Sequence, residues 1–107
     1  MAITLRTKRP DQTLKQIVDA LKEYDAEHPQ AKIEAYRQNA VSVRIRVIDP
    51  GFEGKSRAER EEELWAVLEQ LPDDVTAEIS LLLLLTPEEA KTSFANVEFD
   101  NPVPSNL

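Results

Sequence analysis

The sequence predicts a small two-layer α+β domain, a three-stranded mixed sheet with helices on one face. Three observations carry this prediction. Val41, Val43, Ile45 and Val47 alternate with Ser42, Arg44 and Arg46, a period-two pattern with one apolar side. Leu14, Ile17, Val18, Leu21 and Tyr24 recur at helical spacing, as do Glu61, Leu64, Trp65, Leu68 and Leu71 further on. Between the second helical pattern and Thr86 lies a leucine run apolar on both faces, read as a strand buried on both sides or paired outside the domain.

Taken in order, residues 1–10 read as an N-terminal arm, either flexible or a small added strand. Pro10-Asp11 opens the first helix, and His28-Pro29 ends it, because a residue before proline avoids helical dihedrals. Residues 31–38 (AKIEAYRQ) read as a strand, and Gln38-Asn39 as the hairpin turn into a second strand at 41–48. Asp49-Pro50-Gly51 stops that strand, since proline lacks a donor and glycine admits unusual dihedrals. Ser56 and Glu59 then form an S-x-x-E capping box at the head of a helix over 57–71. Leu71-Pro72-Asp73-Asp74 turns the chain into a last strand, Val75 to Leu85. Thr86, Pro87 and Glu89 supply the cap, first position and capping-box acid of a short helix. Residues 94–107 read as an extended tail, leaving 11–93 as the folded core of a single domain. The crossover from the second strand to the third predicts parallel pairing. Arg44 and Arg46 then lie on the face away from the helices.

Composition narrows the function classes. The 107 residues carry 20 acidic and 13 basic side chains, a net charge of −7. Such a balance opposes nonspecific attraction to phosphate backbones and anionic membranes. The absence of cysteine excludes a disulfide framework and thiolate chemistry. The run Leu81–Leu85 is far below the roughly 20 residues that span a bilayer. No membrane association and a cytoplasmic location are expected.

The element order, together with Phe52, Gly54, Lys55, Ser56 and Arg60 and then Thr86, Pro87, Glu88 and Glu89, resembles the BolA-like family. The resemblance spans about residues 12–93 and implies a fold related to the type II KH topology. It also implies an iron–sulfur cluster shared with a monothiol glutaredoxin and held in part by histidines. This chain departs there. Glu61 stands where the family has a histidine after the helix arginine, and Glu78 or a neighbour where it has one at the last strand. The single histidine, His28, lies outside the motif. The fold is therefore carried over, and neither a cluster nor any other cofactor or metal is expected.

Several motifs invite sharper readings. Gly54-Lys55-Ser56 looks like part of a phosphate-binding loop, but Asp49 occupies the place of the required upstream glycine and would repel phosphate. Gly51-Phe52-Glu53-Gly54 matches the G-x-x-G of KH domains, although here it follows a strand. Arg37, Arg44 and Arg46, with Tyr36 as a stacking surface, form the candidate nucleic-acid face; the net charge disfavours it. Asp49, Glu53 and Glu61 match no calcium-loop spacing. No nucleophile has a base beside it, so no enzyme is expected.

The leading reading is a non-catalytic adaptor or regulatory binding protein acting through protein contacts. Its first surface comprises Gly51, Phe52, Gly54, Lys55, Ser56, Arg57, Arg60 and Glu61. Its second is the leucine strand, with Leu82 and Leu84 as interface residues and a homodimer as one form of the contact. Alternatively the tail residues Phe94, Val97 and Phe99 fold over that strand. The other function readings are a KH-like nucleic-acid module and an iron–sulfur partner of a glutaredoxin.

Overall fold

The computed structural model describes residues 3–6 and 11–100. Its elements run β1 (Ile3–Leu5), α1 (Gln12–Glu27), β2 (Lys32–Asn39), β3 (Ser42–Ile48), a 3-10 turn (Pro50–Phe52), α2 (Arg57–Leu68), α3 (Asp73–Thr76), β4 (Ile79–Leu85), α4 (Pro87–Thr92) and α5 (Phe94–Asp100). The α+β class holds. The sheet has four strands in the order β1-β2-β3-β4, because Ile3–Leu5 adds parallel to β2. The N-terminal arm is thus the added strand, as far as it is described; residues 1–2 and 7–10 lie outside the described residues.

β2 and β3 pair antiparallel and β3 and β4 parallel. The hairpin turns at Ala40-Val41, one or two residues beyond the expected Gln38-Asn39, because the Asn39 side chain accepts the Val41 amide and holds the turn there. Val41 is consequently exposed and lies outside the strand. Leu14, Ile17, Leu21 and Tyr24 of α1 and Leu64 and Leu68 of α2 close over Ile33, Ala35, Val43, Ile45 and Val47. Asp11 caps α1 by accepting from the Leu14 amide at 2.9 Å.

Three further boundaries differ from expectation. The second helix ends at Leu68, with Leu71 outside it. The predicted strand from Val75 starts instead at Ile79, because Asp73–Thr76 winds a single helical turn that buries Val75. The expected extended tail is helical over Phe94–Asp100, where Phe99 is wholly buried. Residues 101–107 of that tail lie outside the described residues. Both capping boxes form as read, Ser56 with Glu59 and Thr86 with Glu89.

Candidate functional site

Two surfaces flank β4, and the register decides which leucines belong to each. Leu82 and Leu84 stand beside Ile45 and Val47 on the core side of the sheet, whereas Leu81 and Leu83 stand beside Arg44 and Arg46. Leu84 is 8% exposed and belongs to the core, with Leu82 packed against it. Leu82 and Leu84, expected as interface residues, thus turn their side chains to the core face, although both also line the groove at the outer edge of β4. A two-residue period places them under α2, and Leu81, Leu83 and Leu85 face the other way.

β4 is an edge strand. Its Leu85 carbonyl accepts from the Asp49 amide just after β3, so the backbone groups of Leu84, one residue back, point away from β3, and the Leu84 carbonyl there accepts from Arg60. The first turn of α2 and the start of α5 rise on either side of this edge. They enclose a groove of about 420 Å³ lined by Leu81, Leu83, Leu85, Arg57, Glu61 and Ser93. Among the described residues Arg57 and Glu61 form no ion pair, which leaves both charges available at the rim.

Arg60 has a different task from the surface role expected of it. Its side chain is buried, and the guanidinium donates to the Lys55, Phe52 and Leu84 carbonyls at 3.1 Å each. It forks onto Glu89 at 2.6 and 3.2 Å and lies over the Phe52 ring. One side chain thereby ties the loop after β3, the end of β4 and the cap of α4 together. The remaining loop residues divide in the same way. Phe52 is core, Ser56 is the α2 cap, and Lys55 pairs with Glu63. Gly54 holds φ +79, which L side chains rarely adopt, whereas Gly51 has no positive φ and donates its amide to the Asp49 carboxylate at 2.8 Å. Of the eight residues assigned to the loop surface, the structure leaves Arg57 and Glu61 on the groove rim with their charges free. Sequence reasoning placed Asp49 at the strand stop but missed its buried role, in which it caps this turn and accepts from the Tyr24 hydroxyl at 2.9 Å. Its Asx position before Pro-Gly was the available signal.

The arginines do not form one stripe. Arg37 turns away to Asp11 and Glu78, at 2.8 and 2.9 Å. Arg44 and Arg46 share the outer face with Arg6, and α5 lies across them. Arg44 forks onto Glu98 at 2.8 and 2.9 Å, and Arg46 reaches Asn96 at 2.8 Å and Asp100 at 3.1 Å. Glu34 bridges Arg46 and Arg6. Burial pushes the Glu34 carboxyl up, but these two guanidiniums outweigh it and hold the group below the usual range. Asp100 is held low first by its hydrogen bond from Arg46.

Among solved structures, the chain matches BolA1 from Arabidopsis thaliana with a TM-score of 0.50 at 16% identity, covering 75% of this chain and 98% of that one. The fold is BolA-like. No protein-family model and no curated protein matches the sequence. The BolA-like resemblance brings an iron–sulfur cluster into question, and the side chains at the corresponding positions do not fit one. Such clusters take thiolate or imidazole ligands, whereas these positions carry carboxylates, with Glu61 on the groove rim and Glu78 paired to Arg37. His28 stacks on Tyr24 with centroids 3.8 Å apart, and its Nδ1 lies 2.9 Å from the Tyr24 carbonyl. Among the described residues no group of three His, Cys, Asp or Glu is placed to hold a metal ion, and no helix is long and apolar enough to cross a membrane.

Proposed function

We propose that the protein is a small non-catalytic binding protein that works through protein contacts, with the groove along β4 as its contact surface. The observation carrying this reading is the outer edge of a leucine strand, which no further strand pairs among the described residues and whose Leu84 carbonyl is taken by Arg60, set between two helical walls. Edge strands expose backbone donors and acceptors, and proteins ordinarily blunt them with lysine, proline or a bulge. The run Leu81–Leu85 carries no lysine or proline, and the register irregularity against β3 falls before it, at Ser80. An extended segment of a partner adds to such an edge by main-chain hydrogen bonds, with side-chain pockets supplying specificity. Arg57 and Glu61 then offer opposite charges to the partner.

Affinity capture from nuclease-treated lysate tests this function, using wild type against Arg57→Glu/Glu61→Lys. Arg57 is exposed and Glu61 half-buried on α2, and neither forms an ion pair among the described residues, so the exchange is expected to leave the fold intact. A partner retained by wild type and lost by the double variant supports the reading. Equal capture by both, or no nuclease-resistant partner, removes it.

A further inference from the structure

α5 is built inside out. Phe94 is 85% exposed and Val97 59%, while Asn96 and Glu98 turn inward onto arginines and the more exposed Asp100 pairs with Arg46 at the helix end. A helix held by its apolar side would show the opposite arrangement. The only apolar side chain of α5 that is buried is Phe99, and its surroundings are themselves polar or aromatic. The Arg46 guanidinium lies 4.6 Å from its ring centroid and the Arg6 guanidinium 5.3 Å. Tyr36 meets the ring edge-on at 4.9 Å and donates its hydroxyl to the Phe99 carbonyl at 2.9 Å.

Glu98-Phe99-Asp100 therefore presents carboxylate, ring and carboxylate to a sheet face of arginines and one tyrosine. Single-stranded nucleic acid presents the same sequence of chemistries, with phosphate, base and phosphate. Sheet faces that bind single strands combine cations along the backbone path with aromatic platforms and stacked guanidiniums. We propose that the Arg6, Arg44, Arg46 and Tyr36 face is a single-stranded nucleic-acid site that α5 occupies as an internal mimic. Displacing α5 leaves three guanidiniums against Glu34, a local positive excess on an otherwise acidic protein. The net charge of −7 then keeps binding weak until the mimic is released. This site lies on the outer sheet face and is independent of the contact function assigned to the β4 edge.

The test uses full-length chain and fluorescein-labelled oligo(dT) of about 15 nucleotides, a length suited to one binding module. At low salt, Glu98→Gln/Asp100→Asn and Glu98→Gln/Phe99→Ala/Asp100→Asn should bind at least about tenfold tighter than wild type, as expected when masked phosphate contacts open. Adding Arg44→Gln to either should remove the gain. Folded variants that bind no tighter than wild type overturn the proposal. Poly-glutamate competing as well as oligo(dT) overturns the assignment to nucleic acid. Should the variants fail to fold, hydrogen exchange on wild type decides. Saturating oligo(dT) must speed exchange across Phe94–Asp100, and unchanged exchange there contradicts displacement. A protein that loses its captured partner at the β4 edge yet gains oligo(dT) binding separates this inference from the contact function.

Discussion

Arg60 grips Glu89 through both carboxylate oxygens, at 2.6 and 3.2 Å, while its remaining donors hold three main-chain carbonyls from two other segments. An arginine that looks like a surface residue in the motif is the clamp that sets loop, strand end and helix cap relative to one another. The planar fork with several fixed donors explains why arginine is needed there.

Arg60→Ala should therefore destabilise the fold by about 2–4 kcal/mol, the scale of leaving buried acceptors without donors and breaking a partly buried pair. Arg60→Lys should recover only part of this, since one ammonium cannot reach all of the acceptors. Urea unfolding followed by circular dichroism measures both. Binding losses at Arg60 consequently report on folding, which is why Arg57 and Glu61 carry the functional test.

The same pair sets an acid dependence. The fork from Arg60, aided by the Thr86 amide, holds Glu89 down from 4.5 to about 2. A carboxylate whose folded value is depressed stabilises the fold fully above its unfolded value, and that contribution is lost as pH falls towards the folded one. Wild type should lose stability between about pH 4.5 and 2, and Glu89→Gln should lose less across that window. Glu89 is well exposed at its side chain, so solvent screening keeps the difference small. Urea midpoints measured across that pH range for both proteins check it.

Much of this fold can be read from the sequence, and the failures have identifiable causes. The alternation through Val43, Ile45 and Val47 marks a half-buried strand, and Ser56 with Glu59 and Thr86 with Glu89 mark helix starts to the residue, because both signals are local. The run Leu81–Leu85 gives no alternation, so its facing depends on pairing with β3, which places Leu82 and Leu84 inward. α5 escaped because its apolar residues point outward and its anchoring partners, Arg44 and Arg46, are some fifty residues away in the chain. Arg60 was legible as a motif residue, but its task depends on carbonyls that only the folded chain assembles.

Tyr24 should resist ionisation. Burial, reinforced by the hydrogen bond to Asp49, pushes its hydroxyl well above the usual tyrosine range. Absorbance titration at alkaline pH should show wild type losing a late-titrating phenol in Tyr24→Phe. That variant should also cost about 1–2 kcal/mol, because Asp49 stays buried with one donor fewer.

The loop glycines should behave differently. Gly54→Ala places a side chain at φ +79 and should cost about 1 kcal/mol despite open space around it. Gly51→Ala meets the Asp49 carboxylate at 3.2 Å without that backbone penalty, and its cost depends on how far Asp49 shifts. Thermal melts of the two variants should place Gly54→Ala at the lower midpoint if Asp49 yields.

The proposed contact function rests on the β4 edge, and the most direct measurement is amide-resolved NMR of labelled protein titrated with its nuclease-resistant partner. Slowed hydrogen exchange at Leu82 and Leu84, with shift changes at Arg57 and Glu61, is the predicted result. Changes confined to the arginine face or to the Gly51–Gly54 loop, with the β4 amides unmoved, would contradict it.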